Sequence, residues 1–217
     1  MNAILTSKWT KVAVFVSCLV PLGILVREGF TGGLGANPVE FIEHATGDWT
    51  LRFLAITLAI TPLRKLLSLP LLIRYRRMVG LFAFFYACLH FSTYLIFDQM
   101  LNLTEMWQDV MKRRYITLGF TGFVLLMPLA VTSTAGWIRR LGGRRWQRLH
   151  QAIYVSAVAG VIHYYWLVKS DIRQPLLYAG IIGVLLAWRL FNWMRARSRV
   201  PAPRRLQSKE PTTVVTD

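Results

Sequence analysis

Three of the four histidines in this sequence lie inside long apolar stretches. His90 lies in an apolar run that begins near Met78, and His150 and His163 share a later run. An ionisable side chain in a membrane-spanning segment is costly and commonly marks a functional site. The chemistry open to imidazoles there is ligation of a metal, relay of protons, or hydrogen bonding to a neighbouring helix.

The spacing predicts that His90 and His163 lie at the same depth. His90 is 13 residues beyond Arg77, and His163 is 15 residues beyond Arg148. At a helical rise of about 1.5 Å per residue, both lie about 20 Å from the inner boundary. Two imidazoles at one level on separate helices suit the axial ligation of a haem held edge-on between them. Zinc is a weaker alternative, because no Cys, Asp or Glu shares that depth.

His150 is predicted to lie apart from this pair. It precedes His163 by 13 residues, which places it about 20 Å closer to the inner boundary. A second haem at that level needs a histidine 13 or 14 residues before His90, and Arg77 and Arg76 occupy those positions. The sequence therefore predicts one outer haem, with His150 near an arginine pair. That region could hold haem propionates, a flavin phosphate, a semiquinone or lipid headgroups, or it is simply a basic loop.

The elements that position these residues are predicted to be membrane-spanning helices. Hydrophobic residues make up 54% of the 217-residue chain and fall into blocks of about the length that crosses a bilayer. We predict an all-α membrane protein in which six transmembrane helices form a haem-binding bundle. The predicted spans cover residues 12–26, 49–63, 78–97, 115–131, 146–168 and 175–193.

The charges between the spans predict the orientation. The net charge is +16, but its basic residues lie mainly between the apolar blocks, which argues against nucleic-acid binding and for a membrane. Residues 64–77 and 139–148 carry only basic charges, whereas the alternate connections also carry acids. Because basic connections stay in the cytoplasm, both termini are predicted to be cytoplasmic. A cleaved signal peptide is disfavoured, because Arg27 and Glu28 follow the first span directly.

The predicted domain organisation is simple. Residues 1–11 form a cytoplasmic amino terminus, residues 12–194 the haem domain, and residues 195–217 a basic, disordered cytoplasmic tail. No Gly-rich dinucleotide fingerprint occurs, and no Cys-x-x-Cys-His motif for covalent haem attachment is present. Cys18 and Cys88 are predicted to be buried free thiols.

Three stretches of the sequence carry a family resemblance. They are TGDWTLRFLAITLAITPLRKLL (46–67), RYRRMVGLFAFFYACLHFSTYLIFD (74–98) and RRWQRLHQAIYVSAVAGVIHYYW (144–166). Together they resemble the haem-binding membrane subunits of bacterial protein-methionine-sulfoxide reductase systems. That family belongs to the ferric-reductase-like transmembrane group, which includes the membrane part of NADPH oxidases. The resemblance covers residues 8–195, and His90, His150 and His163 match the family's histidines.

The resemblance implies a b-type haem, and bound FMN, in a multi-pass protein of the bacterial inner membrane. It implies that electrons come from the quinone pool or a cytosolic flavin reductase. It further implies that they pass to a periplasmic molybdopterin enzyme, which reduces methionine sulfoxide in oxidised proteins. The sequence departs from the wider oxidase group at Arg76 and Arg77, and it lacks that group's FAD and NADPH domain.

Three functions remain open at this point. The first is an electron-transfer subunit with no substrate site of its own, in which the haem carries the redox chemistry. The second is an autonomous quinol or ferric reductase of the same fold. The third is a proton-coupled transporter whose histidines relay protons.

Overall fold

The computed structural model describes residues 7–168 and 170–198, which are helical apart from short connections. No strand occurs in these ranges, so the predicted all-α class is confirmed for them. The α-helices are α1 (Lys8–Thr31), α2 (Pro38–Leu66), α3 (Ile73–Thr93), α4 (Leu103–Lys112), α5 (Arg114–Val131), α6 (Ala135–Leu141), α7 (Gly143–Leu149), α8 (Ala152–Leu167) and α9 (Arg173–Ser198). A short 3₁₀ turn (Pro70–Leu72) precedes α3, and a π-helical turn (Tyr94–Asp98) follows it.

Four helical segments are long and apolar enough to cross a membrane. They are Lys8–Thr31, Pro70–Asp98, Arg114–Val131 and Arg173–Ser198. The two remaining predicted spans correspond to α2 and α8. Charged residues and threonines lower the hydropathy of α2, and α8 has only 16 residues. Six spans and cytoplasmic termini therefore stay predictions.

The fifth predicted span is not one continuous helix from residue 146. Trp146 lies in the short helix α7, and α8 begins at Ala152. The break follows from contacts with the end of α5. The His150 Nε2 atom lies 3.1 Å from the Thr132 hydroxyl, and the Trp146 indole donates to the Thr132 carbonyl over 2.9 Å. These contacts hold the segment around the break against the end of α5.

The outer connections contain more helix than the sequence predicted. The second span is part of a 29-residue helix that starts at Pro38. Asn37 caps this helix by accepting a hydrogen bond from the Glu40 amide over 3.3 Å, and Pro38 suits the first helical position. His44, the one histidine outside the predicted spans, therefore lies on α2. Asn102 caps α4 in the same way.

The ends of the chain differ slightly from the predicted boundaries. Helix α1 begins at Lys8, and α9 continues past residue 194 to Ser198. The remainder of the predicted tail lies outside the described residues, as do residues 1–6.

The core lies between two helix pairs. Helix α2 packs along α3, α5 packs along α8, and α9 lies against α8 and α2. Leu58 and Ala83 are fully buried between the first pair, and Ala157 is fully buried on α8. Helices α5 and α8 approach closely, because Gly122 leaves room for Ser156, whose hydroxyl donates to the Gly122 carbonyl over 2.8 Å. Small residues allow this kind of approach in membrane bundles.

Helix α1 packs on this core through apolar side chains and is hydrogen-bonded to it by Tyr86. The Tyr86 hydroxyl donates to the Cys18 carbonyl and accepts from the Leu22 amide, both over 3.0 Å. These groups flank Pro21, which interrupts the hydrogen-bond ladder of α1. Both cysteines are free thiols, with Cys18 buried and Cys88 half-buried.

Candidate functional site

His90 on α3 and His163 on α8 lie next to each other in the structure. Their ring centroids are 6.2 Å apart, and the ring planes are inclined at 76°. Both rings border one cavity of about 520 Å³ between the helices. The sequence-based pairing of these two histidines at one level agrees with this geometry.

Backbone carbonyls fix the protonation of both rings. The Nδ1 atom of His90 lies 3.0 Å from the Glu43 carbonyl oxygen, and the Nδ1 atom of His163 lies 2.7 Å from that of Tyr115. A carbonyl oxygen only accepts, so each Nδ1 must carry the proton and donate it. In a neutral imidazole the Nε2 atom then keeps its lone pair and is available as a ligand.

The separation of the rings fits one metal ion between two Nε2 atoms. Metal–imidazole bonds of about 2.0–2.1 Å, together with the two ring radii, give a centroid separation of about 6 Å. The observed separation is 6.2 Å. Among the described residues, no three His, Cys, Asp or Glu side chains are grouped for a metal ion, so a tetrahedral zinc site lacks protein ligands. A two-histidine site suits a metal whose remaining ligands come from a cofactor.

The walls of the cavity are largely apolar and aromatic. Phe91 and Phe123 stack at 4.8 Å along one side, and Leu54 and Leu126 also line it. Ligand and cofactor sites are commonly apolar cavities with a few directed polar groups. The two histidines supply such groups here.

The mouth of the cavity is polar. We call the end of the bundle that carries Glu43, Asp98 and Tyr115 the outer end, and the end that carries Arg76 and His150 the inner end. Burial, together with the nearby charge of Asp98, raises the pKa of Glu43 to about 7. These two carboxyl groups border the cavity on its outer side.

A second polar cluster closes the mouth beside α4. The Asp109 carboxylate lies 3.1 Å from the Arg113 guanidinium and accepts a hydrogen bond from the Gln99 amide over 3.0 Å. The Tyr94 hydroxyl donates to the same carboxylate over 3.3 Å. Asp109 therefore ties helix α4 to the segment that follows α3, at the outer end of the cavity.

The structure places His150 away from the cavity. Its ring stacks on that of Trp146 at 3.9 Å, and its Nε2 atom is engaged with Thr132. Arg76 is half-buried at this inner end, where its neighbours include His150, Tyr154 and Arg189. Arg77, by contrast, is exposed. Of the two predicted arginines, Arg76 is the one close to His150.

Two arginines inside predicted spans were missed by the sequence-based prediction. The Arg52 side chain binds the Tyr178 hydroxyl at 3.0 Å and the Asp48 carboxylate at 3.2 Å, which links α2 to α9 near the cavity. The Arg189 guanidinium donates to the Leu58 carbonyl over 2.8 Å and to the Tyr154 hydroxyl over 2.9 Å. A charge within an apolar span is the sequence signal that could have found them.

Comparison with known proteins identifies relatives across most of the chain. A family model described as "Ferric reductase like transmembrane component" matches residues 46–161, a range that includes His90 and ends shortly before His163.

Among curated relatives, a protein from Herminiimonas arsenicoxydans is 54% identical over 191 residues, covering 87% of this chain and 88% of the relative. One from Xanthomonas euvesicatoria pv. vesicatoria is 52% identical over 193 residues (86% and 88%), and one from Rhodospirillum rubrum is 50% identical over 194 residues (89% and 93%). Each is named as a protein-methionine-sulfoxide reductase heme-binding subunit. At this identity and coverage the chain belongs to the family of haem-binding membrane subunits of protein-methionine-sulfoxide reductases, within the ferric-reductase-like transmembrane group.

Proposed function

We propose that this protein is a membrane electron-transfer subunit that holds one b-type haem between His90 and His163. The observation that carries the proposal is the histidine pair itself. The rings are 6.2 Å apart, and both Nδ1 atoms donate to backbone carbonyls, which leaves both Nε2 atoms free to bind iron.

The residues around the pair fit such a group. When bound, the haem supplies a one-electron iron couple. The cavity provides largely apolar walls between α3, α5 and α8. The Nδ1–H donations orient the rings and make the Nε2 atoms more basic ligands. No further ionisable side chain of the protein is needed as an iron ligand, because the macrocycle supplies the others.

The protein is proposed to span the bacterial inner membrane six times, with both termini in the cytoplasm. The purely basic connections between predicted spans support this orientation, as does the match to a transmembrane family. In this orientation the haem lies near the periplasmic surface. No substrate site of its own is proposed, because the redox chemistry belongs to the cofactor and the partner.

We further propose the direction of electron flow. Electrons enter from the quinone pool or a cytosolic flavin reductase and leave to a periplasmic molybdopterin methionine-sulfoxide reductase that repairs oxidised proteins. The names of the curated relatives support the partnership with a methionine-sulfoxide reductase. FMN or a quinone is proposed at the inner end beside Arg76 and His150, whose cationic setting suits a phosphate or semiquinone.

A spectroscopic comparison of three histidine variants tests the haem site. The variants His90→Ala and His163→Ala should each lose most of the haem, measured as the Soret absorbance per mole of purified protein. His150→Ala is the matched control, because it removes the same side chain from a position outside the cavity, and it should keep its haem. Full haem content in either of the first two variants would contradict the proposal. A colourless wild-type protein would favour the transporter hypothesis instead.

A further inference from the structure

We propose that Gly47 and Gly119 are positioning residues that seat the two axial histidines and hold their rings close to perpendicular. This inference rests on the proposed haem ligation by His90 and His163. It assigns a role to two residues that do not themselves bind iron.

The two histidines are seated in the same way on two different helices. The His90 ring donates from Nδ1 to the Glu43 carbonyl of α2, and Gly47 follows Glu43 by four residues. The His163 ring donates from Nδ1 to the Tyr115 carbonyl of α5, and Gly119 follows Tyr115 by four residues. In an α-helix residues four apart lie one above the other on the same face. Each ring therefore bonds to a carbonyl and lies over the glycine one turn further along.

The space at each glycine shows why a side chain does not fit. A Cβ atom added at Gly119 would lie 2.8 Å from Nδ1 and 2.9 Å from Cε1 of His163, closer than real Cβ atoms approach. A Cβ atom added at Gly47 would lie 3.3 Å from Nδ1 and Cε1 of His90, which requires a smaller displacement. In both cases the Nδ1 atom that makes the hydrogen bond is among the atoms that the added Cβ would meet first. An alanine would thus push the ring away from the carbonyl that fixes its protonation and its rotation.

The hydrogen bond and the glycine together determine the orientation of each ring. The bond from Nδ1 restricts rotation of the ring, and the flat contact with the glycine restricts its tilt. The carbonyl and glycine that contact His90 lie on a different helix from those that contact His163, and together they hold the two rings at 76° to each other. These contacts determine the angle between the ring planes, so a substitution at either glycine should change that angle.

The angle between axial ring planes has a spectroscopic signature. A low-spin ferric haem with nearly perpendicular axial imidazoles gives an electron paramagnetic resonance spectrum with a strongly shifted, large maximal g value. Parallel rings give a smaller maximal g value in a resolved rhombic spectrum. The wild-type protein is expected to show the first type. This signature reports ring orientation and does not depend on activity.

The test compares Gly47→Ala and Gly119→Ala with Gly180→Ala as the matched control. Gly180 is on α9, and an added Cβ there meets no atom within 4 Å. Haem content and the low-temperature spectrum of the ferric protein are measured for all three variants. Gly180→Ala should match the wild type. Gly47→Ala should keep its haem and shift the maximal g value. Gly119→Ala should lose most low-spin haem, or show a high-spin signal that added imidazole converts back to low spin.

The outcomes separate this inference from the proposed function. Wild-type spectra and full haem content in both glycine variants would overturn the inference, even if His90→Ala and His163→Ala lose haem. A rhombic spectrum of parallel rings in the wild type would overturn the assigned angle. Retention of haem in the two histidine variants would instead overturn the proposed ligation. If Gly119→Ala does not fold, the milder Gly47→Ala variant still decides the question.

Discussion

Arg189 is expected to stabilise the bundle by replacing a backbone hydrogen bond that Pro62 removes. In a regular helix the amide of residue 62 donates to the carbonyl of Leu58, but proline has no amide hydrogen. The Arg189 guanidinium donates to that carbonyl over 2.8 Å, and Leu58 is fully buried. The charged side chain in α9 thus supplies the hydrogen bond that the proline leaves missing in α2.

The size of the effect follows from the bonds that are lost. The variant Arg189→Met removes two hydrogen bonds and the contact of the guanidinium with the Tyr154 ring, whose centroid is 5.1 Å away. Hydrogen bonds between membrane helices contribute about 0.6 kcal/mol on average and up to about 1.7 kcal/mol each. A buried carbonyl left without a partner adds about 1–3 kcal/mol. Removal of a charge that makes no ion pair in the described part of the chain offsets some of this loss. We expect a net decrease of about 2 kcal/mol in the free energy of unfolding.

A double-mutant cycle with Pro62→Ala isolates this mechanism. Alanine at position 62 restores an amide hydrogen that can donate to the Leu58 carbonyl. In this background Arg189→Met should lower the free energy of unfolding by about 1 kcal/mol less than it does in the wild type, because the Leu58 carbonyl is no longer left without a donor. The free energies are measured by denaturant-induced unfolding in detergent micelles, followed by circular dichroism. Equal costs of Arg189→Met in the two backgrounds would refute the pairing of Arg189 with the gap at Pro62.

Three further predictions follow from other parts of the bundle. Tyr86→Phe should lower the free energy of unfolding by about 1–3 kcal/mol, because it leaves buried peptide groups of α1 unpaired. Chemical denaturation measures this change. An unchanged denaturation midpoint would show that the stability of α1 does not depend on the hydroxyl. Reporter fusions at Glu40 and Glu105 should give periplasmic signals, and a cytoplasmic signal at either would break the six-span model. Arg76→Gln should slow haem reduction by a quinol added on the cytoplasmic side of proteoliposomes, whereas the exposed neighbour Arg77→Gln should not; equal stopped-flow rates in both variants would place the inner cofactor elsewhere.

The sequence predicted most of the helices because long apolar blocks leave few alternatives. The fourth predicted span (115–131) corresponds almost residue for residue to α5 (Arg114–Val131), because no charged side chain interrupts the apolar pattern between those bounds. The pairing of His90 with His163 was predictable because depth in a membrane can be counted from basic boundaries at a fixed helical rise. Their role as haem ligands stays a prediction.

The features that the sequence did not predict depend on tertiary contacts. The break between α7 and α8 arises from the contacts of Trp146 and His150 with Thr132, 18 residues before His150, and no proline marks it. The roles of Gly47 and Glu43 likewise depend on which ring of another helix reaches them. A carbonyl acceptor carries no sequence signal, because every residue has one.

The packing of the inner half limits how electrons can reach the proposed haem. Helix α3 runs without interruption from Arg76 to His90, a span of 14 residues or about 21 Å along its axis. Part of this distance is filled by Phe84, whose ring stacks at 6.0 Å on Phe123, which in turn stacks on Phe91 beside the cavity. The cavity is lined from the outer mouth to about two turns below the histidines, at Leu54, Leu126 and Ser156. A donor that arrives at the inner face therefore meets packed side chains rather than the haem edge, and a second carrier beside Arg76 and His150 would divide that distance. An arginine stands where a second haem would need a histidine opposite His150, which is why we propose an anionic carrier rather than a second haem at the inner end.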